Sequence, residues 1–534
     1  MTEAHDTSVV TESKSEEKRD EVEIQASSES QAEKDDKLQV EYVSGTRLGL
    51  ITLGVCLGLF VVGMGPPTCL PWHLFSQHSG SYIPVFDMKI VYLAAIVVFE
   101  VGSVICAAAT SSLMLIIGRA VAGVGASALL SGSLNIIAFA VALEKRAAYN
   151  AGVSSMYTLA SITGPIIGGA FTDKVSWRWS FWINLPIGAI AFITVAVFFT
   201  SPRRASTLTL REKLANLDFF GAVFFIGGTV CLLLALQWGG ATFPWGDSRI
   251  WGLFLGFALI MPVFVWIQIK RGKRATMPAS IVKQRTIIVC IFYTFFYSMS
   301  LYIHIYYLPL YFQAVEHTSA VGSGVRFIPY LVFNTIVAIL MGIYVNRTGY
   351  YYYLMWIGPV FFCVGCGLLS TLGVHSTVGQ WLGYQIITGI GRGSGQLPFI
   401  AAQVVLTPEE VPVGSSLVML STSLGGAVAL SFSQAIFNND LVKQVTKYAP
   451  SVNPSLVLDT GATEFRNVIP ADALDGVLEA YSKAIDTVFI PPIAFAGAAL
   501  IVALGIERLN VKPRKQKQAE AGSNSNQTSS VADA

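Results

Sequence analysis

The stretch AAYNAGVSSMYTLASITGPIIGGAF, residues 147–171, decides the fold. It carries no ionisable group apart from two tyrosines, and it exceeds the ~20 residues a helix needs to cross a bilayer core. Small residues recur at every fourth position, Gly152, Ala160, Gly164 and Gly168, with Met156 interrupting. On a helix that spacing makes a stripe along which another backbone can approach closely. Pro165 lacks an N–H and crowds the carbonyl of Ser161, so a bend or loosening is expected there. In lipid the freed backbone group must be accommodated by neighbouring helices or a water-filled cavity. The stretch reads as a kinked, tightly packed membrane helix.

The rest of the chain fits that reading. Of 534 residues, 53% are hydrophobic and 13% charged, and the charges are clustered. The net charge of +2 conceals a division: residues 1–46 hold 13 acids and 5 bases, leaving 20 acids and 30 bases elsewhere. The basic excess sits in short loops between apolar segments, where it orients the chain rather than binding nucleic acid. Residues 1–46 are polar and Ser-rich, and read as a disordered cytosolic tail rather than a signal peptide. Cys363 and Cys366 form a CxxC inside an apolar helix with no second pair, so neither a zinc nor a redox site is read.

Thirteen spanning segments are expected, at 48–65, 90–109, 113–140, 147–171, 179–200, 218–237, 250–269, 287–312, 323–345, 352–372, 379–405, 413–437 and 486–506. Every second connection is basic, through Lys145 and Arg146, then Arg203 to Lys213, Lys270 to Arg285, Arg347 and the tail, and these are expected to be cytoplasmic. The segment 438–485 is expected as an outward loop, with a short surface helix at 471–483. This parity requires residue 90 to start inside, although a cytosolic tail would send 48–65 outward. Residues 66–89 must then return, yet their prolines and lack of helical period make a poor crossing. We favour the absence of one helix there.

Two further stretches flank the central helix. In LIIGRAVAGVGAS, residues 115–127, Arg119 lies inside an apolar helix, where an unpaired charge costs at least ~2.5 kcal/mol. Counting by fours from it gives Gly123, Ser127, Ser131 and Asn135, a stripe suited to an aqueous cavity; a snorkelling arginine is the plainer alternative. WRWSFWINLPIG, residues 177–188, suits an interfacial tryptophan belt followed by a bent helix.

Taken in order, these stretches resemble the major facilitator superfamily, and more narrowly the fungal fourteen-helix drug:proton antiporters and toxin-efflux proteins. The resemblance rests on Arg119–Gly123–Gly125, on the antiporter motif with Gly152, Gly164, Pro165, Gly168 and Gly169, and on Asn184-Leu-Pro-Ile-Gly. In the second half YYLPLYFQAV (306–315) and GIGRGSGQLPFIAAQ (389–403) carry it. It implies an all-α polytopic membrane protein of two six-helix bundles, here 47–200 and 286–508, with two linker helices within 201–285 and a disordered tail at 509–534. It implies export of amphipathic organic compounds (drugs, toxins or secondary metabolites) in exchange for protons. A transport-inactive or sensor-like relative is the alternative, motivated by the atypical region before residue 89.

Glu100, in IVVFEVGSVI, has no charged residue within four positions, and a carboxyl in such surroundings favours its neutral form, as a proton carrier requires. Arg119 is expected to hold or modulate such a carboxylate. His304, Arg392, Gln396, Gln403 and Asn135 are candidates for the substrate cavity, with structural hydrogen bonding as the competing role. Arg392 and Gln396, one turn apart, are expected to face similarly. No nucleophile–base grouping, metal-ligand cluster or Walker sequence is found, so no enzymatic activity, cofactor or metal is expected. The expected partners are a small organic substrate, protons and the lipid bilayer. The protein is expected to be a monomer with both termini cytosolic, in the plasma membrane or alternatively the vacuolar one.

Overall fold

Runs of apolar residues that cannot leave backbone groups unpaired in lipid must close their hydrogen bonds within helices. Among the described residues of the computed structural model (45–64, 87–141, 143–200, 218–240, 243–272, 275, 277–407 and 410–511) every regular element is helical. The first bundle comprises α1 (Gly45–Met64), α2 (Met88–Ala107), α3 (Ser112–Ala140), α4 (Leu143–Lys174), the turn α5 (Trp179–Trp182) and α6 (Asn184–Phe198). Two linker helices follow, α7 (Phe219–Trp238) and α8 (Ser248–Arg271), then the turn α9 (Ala279–Val282). The second bundle is α10 (Arg285–Ala314), α11 (Ala320–Thr348), α12 (Tyr352–Leu369), α13 (Val378–Arg392), α14 (Leu397–Val405), α15 (Val411–Tyr448), α16 (Pro454–Val468) and α17 (Ala471–Ala503).

All thirteen expected segments fall on these helices, and among the described residues eleven, counting α5 with α6 as one, are long and apolar enough to cross a membrane. The other two are α4, rich in Gly, Ser and Thr, and the pair α13–α14, which a 3-10 turn at Gly393–Gln396 divides into pieces of 15 and 9 residues. The expected surface helix at 471–483 is not separate. Those residues form the first turns of the unbroken 33-residue α17, which passes through Gly476 and through Pro491 and Pro492 without ending. Likewise α15 runs on to Tyr448, and α16 is pinned to the end of α10 by Arg466, which donates to the carbonyls of Ala314 (2.9 Å) and Val315 (3.2 Å). The linker helices pack on each other, and α7 leans on α15 through clusters such as Phe225, Phe264 and Leu420.

The parity conflict of the sequence has a geometric counterpart. Arg47, at the start of α1, donates to Phe198 O at the end of α6 (3.0 Å), and Gly54 lies against Thr194 and Val195. So α1 and α6 are antiparallel. Asn184 bonds Ser103 and Gly188 meets Glu100, so α2 and α6 are antiparallel as well. Hence α1 and α2 run in the same direction, and Met64 and Met88 lie at opposite ends of the bundle. The irregular stretch read at 66–89 lies outside the described residues except for Asp87, Met88 and Lys89, where Asp87 caps α2 by accepting from Lys89 N (2.8 Å).

Candidate functional site

Helix α4, the stretch from which the fold was read, packs lengthwise against α11 of the second bundle and α1 of its own. Asn150, Ala151, Val153 and Ala160 are buried along it. The glycine stripe does not bring backbones together where it can be followed. A Cβ on Gly152 would meet open space, and one on Gly168 only Ser180 Oγ at 3.7 Å. Small residues permit a close approach without compelling one, and at these two positions no neighbouring backbone comes near. Gly164 is partly buried, and Pro165 and Gly169 lie within the helix. The helix continues through residue 165, since one missing N–H leaves the bonds on either side intact.

Backbone-to-backbone approach occurs elsewhere, in two hairpins. Between α2 and α3, a Cβ on Gly125 would lie 2.5 Å from Phe99 N, and one on Gly102 would fall on the backbone of Ala122. Gly118 and Gly132, seven residues either side of Gly125, meet Cys106 and Tyr92. Between α12 and α13 the arrangement repeats: Gly391 abuts the backbone of Phe362, and Gly365 that of Thr388. These contacts fix the rotation of each helix, and with it the direction of the charged side chains beside them.

On α2, Glu100 is therefore turned toward α6, where its carboxyl occupies the space left by the missing side chain of Gly188. Both carboxyl oxygens are buried and neither has a hydrogen-bond partner. One turn along, Asn184 Nδ2 donates to Ser103 Oγ (3.2 Å), but Asn184 Oδ1 has no donor either. Arg119 is half-buried on α3, beside the Gly118–Cys106 contact. It forms no ion pair with Glu100, whose oxygens remain without a partner, so the expected pairing of these two groups is not made. The physical reason is register: Glu100 lies a turn and a half from the level of Arg119, on the α6 side of α2.

The stripe counted from Arg119 is buried at Ser127, Ser131 and Asn135. The serines bond back to their own helix, Ser127 Oγ to Val124 O (2.9 Å) and Ser131 Oγ to Ser127 O (3.2 Å), and only the Asn135 amide lacks a partner. Near Asn135, Leu134 and Ala138 enter the second bundle's core with Phe399 and Leu417. Gln403 on α14 and Ser415 and Ser416 on α15 are likewise buried without hydrogen bonds, on helices that touch α4 and α3 respectively. At the other end, the core cluster around Tyr311 and Phe489 takes no described residue from the first bundle. Besides the α4–α11 contact, apolar core packing between the two bundles is seen at the Leu134 end.

In the second bundle His304 is fully buried among the rings of Tyr330, Phe362 and Phe489, at 6.4, 6.2 and 5.4 Å, with the Ser300 backbone one turn back beside it. The Arg392 guanidinium stands over the Tyr330 ring (5.4 Å) and has no carboxylate partner. Gln396 lies at the end of the 3-10 turn, whose three residues per turn carry it ~120° from Arg392, so the two do not share a face as expected. Sequence reading missed Gly188, Tyr330 and Gln385; Gln385 is fully buried on α13 with both amide atoms unbonded. The groove of about 780 Å³ at the ends of α4 to α6, lined by Phe171, Arg178, Trp179, Trp182 and Pro186, contains none of the expected cavity residues.

A duplicated hairpin, buried polar groups in both bundles and a helix along their seam call for comparison with known transporters. The sequence profile of the Major Facilitator Superfamily matches residues 53–430. The chain belongs to this superfamily. An MFS-type efflux pump, MFS1, of Arthroderma benhamiae is 40% identical over 520 residues, covering 92% of this chain and 97% of the relative. Efflux pump roqT of Penicillium rubens is 41% identical over 435 residues, 81% of each chain. Among solved structures, the proton:xylose symporter XylE, bound to 6-bromo-6-deoxy-D-glucose, superposes with a TM-score of 0.55 at 12% identity, covering 88% of this chain and 99% of that one. That likeness establishes the major-facilitator fold. The protein is a multi-pass membrane protein and a secondary transporter of that superfamily.

Proposed function

We propose that the protein exports amphipathic organic compounds in exchange for protons, by alternating access between its two bundles. The observation that carries this reading is Glu100, a membrane-embedded carboxyl with both oxygens buried and unbonded at the α2–α6 seam. A carboxyl so placed is far cheaper to hold neutral than ionised, so one orientation of the bundles favours its proton and the other releases it. Arg119 acts on this group in a different orientation of the bundles, since the two are apart here. α4, along α11, limits leakage between the halves. Asn135, Gln403, His304 and Arg392 line the substrate path. The relatives named as efflux pumps support the direction of transport. The protein works as a monomer in the plasma membrane with both termini cytosolic.

The test is exchange in vesicles carrying an imposed pH gradient. Arg119→Ala is expected to abolish gradient-driven efflux while the protein still inserts in the membrane. Unchanged efflux would remove Arg119 from the coupling. Counterflow of a labelled compound, absent altogether, would instead fit a sensor that moves nothing.

A further inference from the structure

Arg392 is a half-buried cation of the second bundle, and among the described residues no carboxylate pairs with it. Among the described residues, three other arginines of that bundle have oxygen partners: Arg285 donates to Gly505 O (2.9 Å), Arg326 pairs with Glu316 (2.9 Å), and Arg466 binds two carbonyls. Arg392 has only the face of Tyr330, and its Nη1 is buried without an acceptor. Near it lie the Tyr330 hydroxyl, left unbonded, and the His304 imidazole, which carries one N–H in its neutral form. Tyr302 and His304 are within electrostatic reach of the guanidinium, and Tyr302 in turn of Tyr157 on α4, which places the group toward the first bundle. The glycines beside Arg392 hold it there: Gly391 on Phe362, Gly393 on Ala338 and Gly389 on Tyr330 O leave α13 no freedom to rotate the guanidinium into water.

We infer that Arg392, held over the Tyr330 ring and with the Tyr330 hydroxyl and His304 as neighbouring donors, forms a subsite for the anionic group of an aromatic organic acid. A carboxylate or phenolate there accepts a charge-assisted hydrogen bond from the guanidinium, which the apolar surroundings strengthen. A flat aromatic body meets the half-buried Tyr302 ring, which lies within electrostatic reach of both Arg392 and Tyr157. The inference deepens the transport reading by naming its cargo class, but it concerns binding and holds with or without a gradient.

The experiment uses two xanthene dyes of near-identical shape, anionic fluorescein and cationic rhodamine 123, with the full chain in nanodiscs at pH 8. Anisotropy titration of the wild type is expected to favour fluorescein. Arg392→Gln weakens fluorescein at least ~10-fold, the scale of one hydrogen bond to a charged group, and erases the preference over rhodamine 123. Tyr330→Leu, which removes platform and hydroxyl together, weakens fluorescein as well. Fluorescein is also expected to raise the melting temperature of the wild type and not of Arg392→Gln. Wild type that binds rhodamine 123 as tightly as fluorescein overturns the proposal, as does Arg392→Gln losing both dyes alike. Should Arg392→Gln fail to fold, the wild-type preference and Tyr330→Leu decide. Gradient-driven efflux of rhodamine 123 without fluorescein binding would leave antiport standing and remove the anion subsite; fluorescein binding without efflux would do the reverse.

Discussion

The hairpins α2–α3 and α12–α13 rest on the same backbone contact and carry different chemistry. Gly125 on Phe99 and Gly102 on Ala122 correspond, residue for residue, to Gly391 on Phe362 and Gly365 on Thr388. Following that register, Glu100 stands where Cys363 stands in the second bundle, and Arg119 where Gln385 stands. Arg392, one residue beyond Gly391, answers to Ala126. The ionisable groups therefore occupy non-equivalent places on equivalent frames. Close glycine packing is what both halves need to hold two helices together in lipid, where no hydrophobic force between helices exists. Charge placement is free to diverge, and here it separates an unpaired carboxyl in one half from an unpaired cation in the other.

The comparison breaks most visibly if the two frames are not equally needed. Gly125→Leu and Gly391→Leu each drive a branched side chain into a neighbouring backbone, and both are expected to lose folded protein by size-exclusion and thermal melting, at a cost of about 3 kcal/mol or more. Tolerance of one and not the other would mean the contacts are not equivalent. Next, Glu100→Gln is expected to lower gradient-driven exchange at least ~10-fold while Cys363→Ser leaves it unchanged, the loss matching what acid–base groups commonly contribute. Equal loss in both variants would place the coupling outside this asymmetry. A smaller effect tests the second bundle alone: Arg466→Ala strips the caps from the Ala314 and Val315 carbonyls and should cost about 1–3 kcal/mol in thermal or denaturant unfolding. Smallest is Gly152→Ala, where a methyl meets open space, expected to stabilise α4 by about 0.4–1 kcal/mol. A clear loss there would restore the close-packed stripe that the hairpins otherwise replace.

Helix existence was legible because each crossing is an apolar run punctuated by basic loops, a local property of the chain. The conflict around residues 66–89 was legible for the same reason, and it reappears as the parallel course of α1 and α2. What failed were readings that depend on a partner helix. The stripe from Gly152 to Gly168 states where an approach is permitted, whereas Gly118, Gly125 and Gly132 are where it happens. Their seven-residue spacing lay within or beside the quoted LIIGRAVAGVGAS, but counting from Arg119 by fours passed over it. Glu100 was picked out by its isolation; Gly188, which receives it, lies far along the chain and looked like a helix-bending residue. Tyr330 and Gln385 are ordinary residues in sequence, the first distinguished only by the guanidinium over its ring and the second only by its unbonded amide. Arg392 and Gln396 were assumed to sit on one α-helix, and no sequence signal short of the Gly-Ser-Gly run announced the tighter turn.

That turn has a mechanical consequence. A 3-10 segment is longer per residue and winds further than an α-helix, so recasting Gly393–Gln396 as α-helix would draw α14 toward α13 by about 2 Å and unwind it by about 80°. Gln403 would swing away from α4 while Arg392, clamped by its glycines, stayed where it is. Four residues thus act as a screw-jack between the two ends of one membrane crossing, and spin labels at positions 385 and 403 would register its stroke as a change in separation.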